Sequence, residues 1–145
     1  MTPRDRLIAA SAHISGIFFP IFGPAAVFAI SRRSNPFAAY HAVHAILGEI
    51  VLKALLLVLG IASLGYTIYT FYGHYQTDFR NWSWHFFIGK MALTWLAITI
   101  LGVINTLGAL RTAHRAFRGD MLRAGRVDRL ARSLSGFNDG TLQPL

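Results

Sequence analysis

Three histidines are the residues of this chain whose types and spacing are best suited to chemistry. His41 and His44 are three residues apart, so they share one face of a helix, and His13 lies in the apolar stretch before them. Histidines in such an arrangement hold metal ions, ligate haem iron, or hydrogen-bond a quinone or a lipid headgroup. The sequence therefore predicts His13, His41 and His44 as candidate cofactor-binding residues. The structural alternative is that they only support helix contacts at the membrane interface.

An acidic and a basic residue follow on the same predicted helix. Glu49 and Lys53 are four residues apart, with the acid N-terminal to the base, which is the favourable order for a pair on one helix. Ionisable groups inside a membrane are energetically costly and often mark ion or proton pathways. The sequence predicts an intramembrane charge pair that either relays ions or only fixes the rotation of its helix.

No recognisable catalytic motif accompanies these residues. The chain has no cysteine, which excludes disulfides, thiolate metal sites and cysteine nucleophiles. It also contains no Ser-His-Asp set, HExxH pair or phosphate-binding loop. We therefore expect a protein that is not an enzyme, and the sequence assigns no metal site and no specific cofactor.

Composition indicates a helical membrane protein. The chain is 54% hydrophobic and 14% charged, whereas soluble domains carry about a quarter charged residues. The run Leu7–Ile30 contains no charged residue and reads as a first span rather than as a cleavable signal. It is interrupted by Pro20 and by Gly23-Pro24, because proline removes an amide donor and clashes with the preceding turn. The span is either one kinked crossing or a re-entrant pair of half-helices.

Two full crossings are predicted after this broken span. Asn35-Pro36 is typical of a helix start, and the second span is expected from Pro36 to about Leu64. An aromatic belt surrounds a short polar loop, and the last span runs from Trp84 to Leu110. Asn105, a polar residue in that span, is expected to face another helix. The predicted fold class is an all-α polytopic transmembrane helix bundle.

Positive charge is concentrated towards the C-terminus. The net charge is +8, and seven of the 14 lysines and arginines lie between Arg111 and Arg132. We expect a transmembrane domain over residues 1–119, ending in a helical extension that Gly119 caps, and a basic amphipathic tail over residues 120–145. The arginines predicted to contact anionic lipid on the cytoplasmic face are Arg32, Arg33, Arg111, Arg115, Arg118, Arg123, Arg126, Arg129 and Arg132. Because no aromatic residues alternate with the tail arginines, lipid is favoured over nucleic acid as their partner.

Several short motifs, in this order, resemble a known family. They are Ala12-His13-Ile14-Ser15-Gly16, Pro20-x-x-Gly23-Pro24, Asn35-Pro36-Phe37 with His41, and Ala113-x-Arg115-Ala116-x-Arg118-Gly119-Asp120. Over roughly residues 6–120 the chain resembles a family of small bacterial and archaeal membrane proteins of unknown function. That family is distantly similar to the chloroplast inner-envelope import component of the Tic complex. The resemblance implies the fold more than an activity, since the family has no agreed one.

These observations together favour a non-enzymatic integral membrane protein. We expect an accessory or interaction subunit of a larger assembly in the bacterial cytoplasmic (inner) membrane, with its basic tail in the cytoplasm. Its expected partners are membrane lipids and either a larger membrane protein or further copies of itself. The alternatives are a haem- or quinone-binding module built on the histidines, or an oligomeric transporter or channel component built on Glu49 and Lys53.

Overall fold

The computed structural model describes residues 1–80, 82–122 and 125–136, without the side chains of residues 125 and 126. Within these ranges the chain is all-helical. The helices are α1 (Pro3–Phe18), α2 (Phe22–Ser31), α3 (Pro36–Gln76), α4 (Trp84–Arg118) and α5 (Gly125–Ser135). The predicted all-α fold class is thereby confirmed.

The predicted break in the first apolar run lies at Pro20. Helix α1 starts with a capping box between Thr2 and Asp5 and ends at Phe18, because Pro20 has no amide to continue the ladder. Ile21 then adopts a positive φ of 66°, which redirects the chain into α2. Pro24 falls in the first turn of α2, where its missing N–H has no partner within the helix in any case.

Helices α1 and α2 pack closely where they meet. A Cβ added to Gly23 would lie 2.7 Å from the carbonyl oxygen of Ser15, and one added to Gly16 would lie 3.3 Å from Cγ of Pro24. The two helices have 16 and 10 residues, and each is shorter than the ~20 residues that a spanning helix needs. The first apolar run therefore forms two short helices rather than one long one.

Helices α3 and α4 are long and apolar enough to cross a membrane. They contain 41 and 35 residues, and 11% and 0% of their most apolar windows are buried by the chain itself. The core helix of a soluble protein would be mostly buried, so this exposure favours lipid contact. Helix α3 continues past the predicted end at Leu64 because no proline interrupts the aromatic stretch that follows.

The predicted helical extension after the last span is confirmed. Helix α4 continues without interruption to Arg118. Gly119 has a φ of +86°, and its amide donates to the carbonyl of Ala116 while the Asp120 amide donates to that of Arg115. This is a glycine C-cap, which requires a residue that tolerates positive φ.

The chain forms two compact units. The first comprises Met1–Val51 with Asn105–Leu145. Its core consists mainly of alanines around Phe37 and Tyr40, and the fully buried ones are Ala9, Ala12, Ala38, Ala39, Ala42, Ala116 and Ala131. Since Ala131 belongs to α5, the described part of the predicted tail packs into this unit instead of forming a separate domain after residue 119.

The second unit comprises Leu52–Ile104, which includes parts of α3 and α4. The two helices are joined by a turn whose Phe79 and Trp82 form edge-to-face ring contacts with each other and with Phe71 of α3. The polar contacts between α3 and α4 in this unit include the hydroxyl oxygens of Ser63 and Thr94, which are 3.5 Å apart, and a hydrogen bond that Lys90 donates to Thr67. Most of the large apolar side chains in this unit are exposed, including Leu57, Ile61, Leu93 and Trp95.

The contact between α1 and α2 gives the first prediction. Gly23→Ala should destabilise the protein by about 1–3 kcal/mol, because the new Cβ overlaps the backbone of Ser15. Thermal unfolding of the detergent-solubilised protein measures the effect. Gly48→Ala is the matched control, since a Cβ there has no neighbour within 4 Å. Equal melting temperatures for the two variants would contradict the close approach.

Candidate functional site

The start of α3 positions the candidate residues. Asn35 caps the helix by accepting a hydrogen bond from the Ala38 amide at 3.0 Å, and Pro36 occupies the first helical position, as predicted. The side-chain amide of Asn35 also donates to Asp5 at 3.0 Å. Asp5 in turn accepts from the backbone N–H of Thr2, a bond that lowers the pKa of Asp5. One asparagine therefore ties the start of α3 to the start of α1.

Two of the predicted histidines meet in the core of the first unit. Nε2 of His13 lies 3.2 Å from Nδ1 of His41, so one of the two nitrogens carries a hydrogen and donates a hydrogen bond to the other. His41 is fully buried, and its ring packs edge-to-face on Phe37 and Tyr40 at centroid distances of 4.5 and 5.3 Å. The pair thus joins α1 to α3 by a buried polar contact within an aromatic setting.

His44 lies beside this pair. Its ring centroid is 6.3 Å from that of His13, and its buried Nε2 has no hydrogen-bond partner among the described residues. The structure therefore brings together all three histidines that the sequence singled out. Nε2 of His41 is likewise buried without a hydrogen-bond partner among the described residues, so the cluster contains two unpaired ring nitrogens.

The geometry of the cluster limits its ligand chemistry. Metal–imidazole bonds are about 2 Å long, so two histidines on opposite sides of a haem iron need nitrogens roughly 4 Å apart. The 3.2 Å separation of His13 and His41 is too short for that arrangement. Within the described ranges, no group of three or more His, Cys, Asp or Glu side chains is placed to hold a metal ion. A hydrogen-bonding ligand at the unpaired ring nitrogens is the chemistry that the cluster fits best, and His44 is the less buried of the two histidines that carry one.

Tyr40 connects α3 to the C-terminal segment. Its hydroxyl is within hydrogen-bond distance of the Leu122 carbonyl and of Oδ1 of Asp128. Arg132 donates to both oxygens of Asp128, with Nε at 3.2 and 3.1 Å. Burial alone would raise the pKa of Asp128, but the hydrogen bonds from Tyr40 and Arg132 outweigh burial and lower it. The ionised carboxylate therefore holds α5 against α3.

Glu49 contacts a different partner from the one predicted. It is buried, and its Oε1 accepts a hydrogen bond from Nδ2 of Asn105 at 3.1 Å. Lys53 is exposed and forms no salt bridge with Glu49. The salt bridge found among the described residues joins Arg132 to Asp128 instead. Asn105 of α4 satisfies the Glu49 oxygen, so Glu49 does not depend on Lys53 for a partner. The expectation that Asn105 faces another helix is confirmed.

The arginines predicted to contact lipid fall into three groups. The exposed ones are Arg32, Arg33, Arg111, Arg115, Arg118 and Arg129. Arg132 is half-buried and paired with Asp128, which differs from the predicted lipid contact because an acid lies one helical turn away. Arg123 lies outside the described residues, and so does the side chain of Arg126. Lipid binding by this set stays a prediction.

Sequence reasoning missed the contacts made by Tyr40, Asp5 and Asp128. Tyr40 was visible only as an interfacial aromatic next to the histidines, and no pattern linked it to residues more than 80 positions away. Asp128 did carry a local signal, since Arg132 follows it at i,i+4. Asp5 also carried a local signal in the sequence, because Thr2-x-x-Asp5 has the spacing of a capping box.

Comparison with known proteins gives one match. Residues 4–124 match the model of a family described as the magnetosome magnetite crystal formation protein family. The match supports the expected relation to a small prokaryotic membrane-protein family, and it shows no similarity to the Tic component. No curated protein and no solved structure matches the chain.

Glu49 gives the second prediction. Glu49→Ala should destabilise the protein by about 1–3 kcal/mol, because it leaves the Asn105 amide without its acceptor. Glu49→Gln keeps an acceptor oxygen and should recover part of the loss. Lys53→Ala is the control and should change stability by less than about 0.5 kcal/mol, since Lys53 is exposed. Equal thermal stability of wild type and Glu49→Ala in detergent would refute the assignment.

Asp128 gives the third prediction, a pH-dependent release of α5. Because its pKa is lowered in the folded protein, its contribution is complete above about pH 4 and is lost as pH falls through the folded value. A spin label at Ser133→Cys, in a chain that has no other cysteine, should become more mobile as pH drops from about 6 to about 3.

The controls for this release are Asp128→Asn and Tyr40→Phe. Asp128→Asn should leave the label mobile at both pH values, since it removes both the charge and the titration. Tyr40→Phe keeps the aromatic packing and loses only the hydroxyl contacts, so it should release α5 partly. A wild-type transition that Asp128→Asn leaves unchanged would mean that another group controls α5.

Proposed function

We propose, because the chain belongs to the magnetosome magnetite crystal formation protein family, that it is a non-enzymatic membrane protein that supports magnetite formation by associating with other membrane proteins. The observation that carries the proposal is the exposure of the second unit. None of the most apolar window of α4 is buried by the chain itself. Such a surface needs lipid or protein to cover it.

Small residues on this surface favour a protein partner over lipid alone for part of it. Gly65 and Gly73 on α3 and Gly89 on α4 each have open space where a Cβ would be. Small residues allow another helix to approach the backbone closely, and the interfaces between membrane helices are enriched in them. The partner is either a larger membrane protein or a second copy of this chain.

A pull-down combined with complementation tests this role. The tagged chain is cross-linked in the native membrane of a magnetite-forming host, extracted in mild detergent, and its partners are identified by mass spectrometry. Gly65→Leu should weaken partner recovery and alter crystal size in electron micrographs, at normal protein levels. The control is Leu64→Ile on the same helix, which keeps side-chain volume. Recovery as a monomer together with normal crystals in a deletion strain would overturn the proposal.

The histidine cluster favours one second candidate, a module that binds a quinone or a similar hydrogen-bonding cofactor. The supporting observation is the buried, unpartnered Nε2 of His44 beside Tyr40 and His13. Solvent extraction and absorption spectroscopy of the protein purified from native membrane test it. A bound quinone that disappears in His44→Phe would establish this function, and a Soret band would point to haem at a site other than the His13–His41 contact.

The proposed topology places both termini in the cytoplasm and the protein in the cytoplasmic membrane. If α1 and α2 enter and leave on one side, every arginine except Arg80 lies on that side of two crossings. The positive-inside rule prefers this arrangement to three crossings. Neither α1 nor α2 is long enough to span alone.

Reporter fusions at each terminus give the fourth prediction. A cytoplasm-active reporter should be active at both ends, and a periplasm-active reporter should be silent at both. A fusion after Arg80 is the control and should behave in the opposite way. An N-terminal fusion active only in the periplasm would restore a kinked first crossing.

A further inference from the structure

The second unit contains a lysine that forms no salt bridge with any residue the structure describes. Lys90 lies in the first two turns of α4, where its Nζ donates to Thr67 at 3.0 Å and sits 3.9 Å from the centre of the Tyr66 ring. The only acidic residue between Leu52 and Ile104 is Asp78, in the turn. The ammonium therefore has a hydroxyl and an aromatic face as partners, but no counter-charge from a helix of its own unit.

An apolar groove leads away from this lysine. It has a volume of about 410 Å³ and lies between α3 and α4, with Lys90 and Tyr66 among its lining residues. The other walls are formed by leucines, small residues and an isoleucine, including Leu56, Gly60, Ala97 and Ile98. Its volume is in the range of small-molecule sites. Going from Lys90 to Ile98 the groove follows α4 for about 12 Å.

We infer that this groove binds one anionic phospholipid, with the phosphate on Lys90 and an acyl chain along the groove. Charge complementarity supports the headgroup position, since Lys90 has two further N–H donors after its bond to Thr67. The aromatic residues near the turn are typical of the headgroup level of a membrane. An apolar groove that starts at a cation near the headgroup level and runs along the helices into the membrane matches the shape of a lipid. The inference does not depend on the proposed function.

A protein carboxylate is the main competing partner for Lys90. An acidic side chain from another helix would also neutralise the ammonium. However, such a side chain would leave the apolar groove unfilled, whereas an acyl chain fills it. The lipid therefore accounts for both the charge and the groove.

Binding to the full-length protein in detergent, followed by native mass spectrometry, tests the site. The probes are phosphatidylglycerol and phosphatidylcholine with identical acyl chains. Both headgroups contain a phosphate, but the choline ammonium of phosphatidylcholine repels Lys90 and neutralises that phosphate, so wild type should prefer phosphatidylglycerol about tenfold. Lys90→Gln should abolish that preference. Lys53→Gln is the matched control: it removes an exposed lysine of the same unit and should leave the preference unchanged.

The groove itself needs a separate variant. Gly60→Leu fills it from a position where an added Cβ has no neighbour within 4 Å, so folding should be unaffected. It should weaken binding of both lipids with Lys90 intact, and thermal unfolding confirms that the variant is folded. Inorganic phosphate at millimolar concentration should not displace bound phosphatidylglycerol, since it lacks the acyl chain.

Four results would overturn the inference. They are a wild type without preference for phosphatidylglycerol, a preference that survives Lys90→Gln, an equal loss in Lys53→Gln, and ready displacement by inorganic phosphate. A cross-link from Lys90 to an acidic residue of another protein, without lipid selectivity, would assign the ammonium to that partner instead.

Discussion

Close packing of helices through alanine is the constraint on which the first unit depends. Ala9 and Ala12 of α1, Ala38 of α3 and Ala116 of α4 are fully buried. Alanine lets helix backbones approach closely and loses no side-chain entropy on burial. Because alanine side chains are small, burying them stabilises the unit only slightly. The choice among alternative helix arrangements therefore depends on larger polar side chains placed between the helices.

Three polar contacts serve this purpose, and each joins different helices. His13 meets His41 between α1 and α3, Glu49 meets Asn105 between α3 and α4, and Tyr40 meets Asp128 between α3 and α5. A buried polar group is costly unless it is hydrogen-bonded, so each pair disfavours alternative helix rotations. All three involve α3, which makes that helix the scaffold of the unit.

The second unit follows a different physical rule. Its helices bury little of their apolar surface against each other. This is expected in a membrane, because lipid is as apolar as the side chains and no hydrophobic effect drives the helices together. Function in such a hairpin depends on what covers it. Association with a membrane partner and binding of an anionic lipid at Lys90 are compatible, because they use different parts of this exposed surface.

Residue types and short-range spacing were enough to predict the all-helical class and several helix boundaries. Charge depletion indicated membrane helices, Pro20 marked the break, Asn35-Pro36 the start of α3, and Gly119 the end of α4. These are short-range effects of missing amide donors, capping side chains and positive φ, so neighbouring residues suffice to predict them. The three histidines were likewise found from residue type.

Which side chains meet depends on how the helices pack, and short-range spacing could not predict it. The sequence paired Glu49 with Lys53 because they are one turn apart, but the rotation of α3 against α4 brings Glu49 to Asn105, 56 positions away. The placement of α5 on Tyr40 is also a long-range contact, which the charge pattern of the tail did not indicate. Helix periodicity fixes which residues share a face, whereas the partner of that face depends on how closely the alanines allow the helices to pack.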